Sequence, residues 1–233
     1  MVSIGMRKFR TRTDRQATLV GDDGRLPLDL PALFGRRAPV RLEIGIGHGE
    51  FIAQMAALHP DEDFIGVEQN ELRVTKTAHK SLQIDAANVR LFTDEAHRFL
   101  HFRVPPASVH RVYILFPDPW PKLSHRRRRL MHRGFLLDVS RAMAPGGQLV
   151  IASDTHDYAF QALSNMTTLP GLWWNRYAPH GYRFDIPTRF PTVFERHKKS
   201  EGCRIAYLGF ERTQEPAPSH QPWPEWRGND REA

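Results

Sequence analysis

One carboxylate in this 233-residue chain stands between two prolines and beside an indole, in Leu115-Phe116-Pro117-Asp118-Pro119-Trp120-Pro121-Lys122. Proline fixes its own φ and drives the residue before it towards extended geometry, so 117–121 reads as a stiff loop that presents Asp118 at a set angle. A rigid acid next to an aromatic surface suits a pocket for a flat, hydrogen-bonding ring. A plain turn after a strand also carries Pro and Asp, but two prolines with Trp and Lys weigh against that reading.

A second constellation lies upstream, in Glu43-Ile44-Gly45-Ile46-Gly47-His48-Gly49-Glu50. Gly45, Gly47 and Gly49 let the chain turn tightly and let a ligand approach the backbone. The dinucleotide fingerprint G-x-G-x-x-G would need a glycine at position 50, where Glu50 stands. Glu43 and Glu50 repel a pyrophosphate and suit a cation. Glu68 closes FIGVE, placed to accept both hydroxyls of an adenosine ribose. Asp94, in Thr93-Asp94-Glu95-Ala96, is placed to accept from an adenine amino group, with Ala96 against the ring. Taken singly, such acids are more often helix caps or solvated turns. Together, at the tips of three strands and in register with the glycine loop, they suit S-adenosylmethionine, whose sulfonium and ammonium are positive.

The charge balance adds a partner. Thirty-three Lys and Arg against 26 Asp and Glu give a formal net charge of +7, and the pI is near 9.9. That favours a polyanion, either nucleic acid or an acidic membrane surface. Basic residues cluster at Arg7, Lys8, Arg10, Arg12 and Arg15 and again at Arg126 to Arg129. Runs of this kind also form solvated helix faces or disordered tails. The second run begins just after Lys122, beside the expected pocket, which points to RNA or DNA. No apolar run reaches the length of a membrane span. The single cysteine, Cys203, excludes an intramolecular disulfide and suits a reducing compartment. The basic N-terminus has no apolar segment behind it, so no secretory signal is expected and the cytoplasm is the expected address.

These residues need elements to hold them. Short apolar runs alternate with helix-compatible segments. Strands are expected at 40–46, 64–68, 88–92, 109–116, 147–153 and 204–210, with an extended stretch at 173–177. Helices are expected at 50–58, 71–84, 95–102, 126–143 and 156–168. This alternation implies an α/β fold with a mostly parallel central sheet covered by helices on both faces, and ligands at the carboxyl ends of the strands. The acids above all fall there. Residues 1–35 read as a basic, partly flexible arm, 36–212 as the catalytic domain, and 213–233 as a flexible Pro-rich tail that Trp223 and Trp226 pin in part.

With both constellations in hand, the chain resembles the tRNA (guanine-N7)-methyltransferase family. The resemblance rests on LEIGIGHGEF (42–51), FIGVEQN (64–70), the Asp94 segment, LFPDPWPKLSHRRRRLM (115–131), APGGQLVIASD (144–154) and FPTVFERHKKSEGCRI (190–205). It implies a Rossmann-like class I methyltransferase fold and methyl transfer to N7 of a guanosine in tRNA, at the variable-loop position numbered 46. It also implies that Glu43, Glu68, Asp94 and Asp118 line the S-adenosylmethionine pocket, with Asp118 at the catalytic position. Lys122, Asp154, Thr192, Val193, Phe194 and Glu195 are implied to bind the substrate, although Val193 stands where many relatives carry a basic residue.

Guanine N7 has a free lone pair, so this chemistry needs no general base and no metal, and the histidines show no metal-ligand spacing. Trp120 reads equally as a wall for the base or as packing beneath the loop. A monomer is expected, with a homodimer as the alternative. Other readings remain: a methyltransferase acting on an exocyclic amine, an RNA-binding protein without chemistry, and, least favoured by Glu50, a nicotinamide oxidoreductase.

Overall fold

The computed structural model describes residues 19–20, 26–184, 186 and 191–216. The basic residues from Arg7 to Arg15, and Trp223 and Trp226, lie outside the described residues. Eight strands form one sheet: β1 (Val40–Ile44), β2 (Asp63–Glu68), β3 (Val89–Thr93), β4 (Val109–Leu115), β5 (Met143–Ser153), β6 (Trp173–Asn175), β7 (Arg183–Phe184) and β8 (Ala206–Arg212). Their order is β3-β2-β1-β4-β5-β8-β6, with β7 also pairing with β8. The pairs among β1 to β5 are parallel, while β8 runs antiparallel to β5, β6 and β7.

The helices are α1 (Leu30–Phe34), α2 (Glu50–Leu58), α3 (Glu71–Gln83), α4 (Ala96–Phe102), α5 (Arg133–Ala142), α6 (His156–Thr167) and α7 (Val193–Ser200). Strands β1 and β2 are buried on both faces, with Val40, Leu42 and Ile44 on one face of β1 and the buried Arg41 and Glu43 on the other. One core holds Leu42, Ile65, Phe99, Phe135, Ile151 and Tyr158, beneath α4, α5 and α6. A second holds Ile52, Phe64, Val74, Ala78 and Leu91, beneath α2 and α3.

The expected strand–helix alternation is present, with informative departures. The helix expected over 126–143 is two pieces: a 3₁₀ helix at Leu123–Arg128, then α5 from Arg133. Between them Arg129 is extended at ψ 132°, and Met131 enters the core. His132 starts α5 by accepting a hydrogen bond from the Phe135 amide at 3.2 Å. Strand β5 begins at Met143, four residues earlier than expected, because Met143 pairs with Val109 before a register shift. Gly147 permits this: a Cβ there would lie 2.8 Å from the Ala144 carbonyl oxygen.

Part of the expected N-terminal arm is packed. Leu28 and Leu30 belong to the larger core, and the Leu28 amide donates to the Arg103 carbonyl at 2.8 Å. The first residues of the expected tail are also held, since the buried Thr213 donates its amide to the Leu172 carbonyl at 3.1 Å. Helices α1 and α7 and strand β7 were absent from the expected elements. Helix α7 carried a legible signal in Thr192-Val193-Phe194-Glu195, the T-x-x-E start of a helix.

Candidate active site

The carboxyl ends of β1, β2, β3 and β4 surround a cavity of about 500 Å³. Its lining includes Glu43, Gly45, Gly47, Glu68, Asp94, Asp118, Thr192, Val193 and Phe194, which brings together nine of the residues named from the sequence. Gly49, Lys122, Asp154 and Glu195 lie outside the lining.

Gly45 and Gly47 adopt φ of +75° and +54°, and a Cβ on either would meet nothing within 4 Å. Their bareness leaves open the space a ligand would use. Gly49 is a glycine for another reason. It caps α2 at φ +73°, and a Cβ there would fall 2.1 Å from Thr77 Oγ1 on α3. Its job is to let two helices close.

The acids divide by how far the protein already satisfies them. Glu68 accepts from the Gly47 amide at 3.2 Å and from the Asn70 amide at 3.1 Å, joining the glycine loop to the start of α3. Asp94 is buried and accepts from Arg98 Nε at 2.7 Å, Arg103 Nε at 3.1 Å and the Glu95 amide at 2.8 Å. Its expected bond to an adenine amino group would have to share an oxygen with these donors. Glu43 differs. It is 4% exposed on β1, and its Oε2 has no hydrogen-bond partner. Burial, then the negative charge of Glu50, then that of Glu68 push its carboxyl well above the usual range, against a pull from the Ile52 amide. A buried acid among acids with an unsatisfied oxygen is a poor place for an anion and a good one for a cation.

The Asp118 loop enters from the opposite wall. Its two ends, Phe116 and Trp120, hold positive φ of 55° and 41° although neither is glycine. Such geometry clusters at functional sites. Asp118 is exposed between them and takes no hydrogen bond from a described residue. Trp120 lines the cavity with its ring under the Arg128 guanidinium, 5.1 Å from the ring centroid. The same ring packs edge-on against His125, with centroids 5.9 Å apart, so it lines the cavity and supports the loop at once. Arg128, from the basic run that the sequence pointed towards RNA or DNA, also lines the cavity. Arg129 is buried and donates to the Pro119 carbonyl at 2.7 Å, to Asp157 at 2.7 Å and to Gln161. Its neighbour Arg126 pairs with the same Asp157 at 2.9 Å. Of the four arginines, only Arg127 and Arg128 are exposed.

The late segment closes one side. Thr192 caps α7, its Oγ1 accepting from the Glu195 amide at 2.9 Å. Val193 and Phe194 then face the cavity, with the Phe194 ring 5.0 Å from that of Phe116. Glu195 turns inward, where Tyr207 and Lys199 donate to its carboxylate. It thus ties α7 to β8. Asp154, at the end of β5, sits 3.9 Å from Lys198 on α7. Lys122 is exposed and caps the 3₁₀ helix.

Away from the cavity, His97 and His101, one turn apart on α4, both approach Asp138 Oδ2 on α5, at 3.0 and 2.9 Å. The i, i+4 spacing of these two histidines was the sign of a shared face, which the sequence reading had passed over.

A family model described as "Putative methyltransferase" matches residues 37–203. A tRNA (guanine-N(7)-)-methyltransferase of Geobacter metallireducens is 35% identical over 196 residues, covering 84% of this chain and 92% of that protein. One from Alkalilimnicola ehrlichii is 36% identical, covering 82% and 79%. Among solved structures, the antibiotic-resistance methyltransferase Kmr aligns with a TM-score of 0.54 at 19% identity, over 79% of this chain and 92% of that one. TrmN from Thermus thermophilus aligns with a TM-score of 0.54 at 17% identity, over 78% and 47%. The structural likenesses show the class I methyltransferase fold, and the sequence likenesses show more: this chain is an enzyme of the tRNA (guanine-N7)-methyltransferase family.

Proposed function

We propose that the enzyme transfers a methyl group from S-adenosylmethionine to N7 of a guanosine in tRNA, the variable-loop guanosine numbered 46. The observation that carries the cofactor is Glu43, a buried carboxylate with an unpartnered oxygen on an acid-walled cavity. Gly45 and Gly47 leave the room, and Glu68 and Asp94 supply acceptors at the next two strand tips. This donor and acceptor set fits a cationic nucleoside and opposes a phosphorylated one. The tRNA substrate is supported by the names of the relatives and by the basic surface beside the cavity.

S-adenosylmethionine supplies a methyl group on a positively charged sulfur. Guanine N7 takes it with its own lone pair, and no proton leaves, so no residue has to act as a base. The protein's task is alignment, and fixing two reactants in line replaces an effective molarity on the order of 10⁵ M or more. Asp118, on its stiff loop, accepts from the N1–H and amino edge of the guanine. That bond strengthens as positive charge arrives on the purine. Phe194 and Trp120 supply aromatic walls for the flat ring.

Nucleoside mass spectrometry after incubation with unmodified tRNA is expected to show 7-methylguanosine. A product methylated on an exocyclic amine would move the enzyme to that chemistry. Asp118→Asn is expected to lower kcat by about 100-fold, the scale of one lost transition-state contact, with cofactor affinity nearly unchanged. Collapse of cofactor binding with kcat intact would reassign Asp118 to the cofactor.

A further inference from the structure

Three prolines, Pro117, Pro119 and Pro121, lock their own φ and restrict the residues before them. They leave two peptide planes free to turn, Pro117–Asp118 and Pro119–Trp120, and it is the second whose carbonyl a side chain holds. With its carbonyl turned one way, Trp120 must take positive φ. Turned over by about 180°, it returns Trp120 to negative φ, the relation between type II and type I turns. An L-residue prefers the second state, yet Trp120 holds φ of 41°. Something must hold the carbonyl.

The donor on that carbonyl is Arg129 Nε, at 2.7 Å. The rest of the guanidinium is committed to α6. One terminal nitrogen donates to Asp157 at 2.7 Å and the other to Gln161, and the carbon lies 5.4 Å from the Tyr158 ring centroid. Arg129 is 3% exposed, so it is out of reach of a phosphate backbone, unlike Arg127 and Arg128. Asp157 is held below the usual carboxyl range, first by its bond from Arg129, so the pair is charged at neutral pH.

We propose that Arg129 is a positioning residue that fixes the Pro119–Trp120 peptide plane, and with it the placement of Asp118 and Trp120 at the cavity. The inference rests on the functional reading above for what those two residues do, but its geometry stands apart from it. Three acceptors lie in three directions around one planar group. A lysine, with one nitrogen, cannot serve them all.

The test uses the full chain with Arg129→Gln and Arg129→Lys. With tRNA as substrate, Arg129→Gln is expected to lower kcat per folded molecule by about 10- to 100-fold, the scale of an ångström-sized misplacement, with cofactor Kd and the KM for tRNA nearly unchanged. Arg129→Lys should recover only part of the loss. A raised KM with a shallower salt dependence and intact kcat would make Arg129 a phosphate contact and overturn the proposal. Should both variants fold poorly, Asp157→Asn loosens the clamp from its exposed side and is expected to lower kcat by a smaller factor; an unchanged kcat there counts against the proposal. A crystal structure of Arg129→Gln reads the geometry without any activity. Trp120 at negative φ supports the proposal, and Trp120 still at positive φ with the loop in place overturns it. If the wild-type enzyme makes no 7-methylguanosine, the functional reading fails while this structural arm still decides.

Discussion

Glu43 is a carboxylate placed where its own charge is unwelcome. Its folded pKa is raised, first by burial and then by Glu50 and Glu68. Its stabilising contribution is therefore full below the unfolded pKa of about 4.3 and is lost as pH rises through the folded value. At neutral pH it destabilises the cofactor-free enzyme. Glu43→Gln is expected to raise the melting temperature at pH 7.5, with the gain vanishing near pH 4, while cofactor affinity measured by calorimetry falls at least about tenfold, the loss of one charge-assisted contact. A variant that melts lower at pH 7.5, or binds cofactor as before, would remove Glu43 from the cation site. Glu43, Glu68 and Asp94 were readable from sequence because each stands at or beside a strand tip, and Asp118 because two prolines flank it. The partners of Asp94 were not: Arg98 and Arg103 reach it only through the turn of α4. Nor was that of Glu195 on α7, which finds Tyr207 only once β8 has returned to the sheet.

At the scale of elements, the contact between α4 and α5 is where acid acts. Burial, then the charge of His97, hold His132 below the ordinary histidine range. A depressed histidine stabilises above its unfolded pKa of about 6.5, and that contribution is lost as pH falls towards the folded value. Asp138 acts in the same sense. Burial pushes its carboxyl up, but hydrogen bonds from His97 and His101 outweigh this and leave it below its ordinary range. Its contribution is lost at still lower pH. In the Glu43→Gln background, where the opposing titration of that acid is removed, the urea midpoint is therefore expected to fall from pH 7.5 to 5.5. His132→Asn, which keeps an acceptor for the Phe135 amide, should flatten that fall, and an unchanged pH dependence would place the sensitivity elsewhere. The strands and most helices were legible because short runs rich in Val, Ile, Leu and Phe alternate with longer helix-compatible segments. The break at 129–132 was not. A run of four arginines has the composition of a helix face, and only the distant acceptors Pro119, Asp157 and Gln161 draw Arg129 out of it.

Over the whole molecule, positive charge and cavity share one edge. Lys122, Arg127 and Arg128 are exposed there, and Arg128 also lines the cavity. If they meet phosphates, each contact removed should reduce the slope of log affinity against log salt by about 0.7–0.9. Lys122→Gln with Arg127→Gln is expected to flatten the tRNA-binding slope by nearly two such increments. An unchanged slope would leave this surface merely solvated. Among the described residues no helix is long and apolar enough to cross a membrane. The sheet order has a consequence in time. β6 is made before β8, yet β8 is the strand that lies between β5 and β6. A growing chain therefore holds β6 without its neighbour until nearly all the described residues have been translated. Glu43, Glu68, Asp94 and Asp118 are made well before Val193 and Phe194, which α7 carries just ahead of β8. The nascent enzyme can thus assemble the acidic wall of its cavity while the side carried by α7 is still unsynthesised, and a competent pocket has to wait for the last two elements among the described residues.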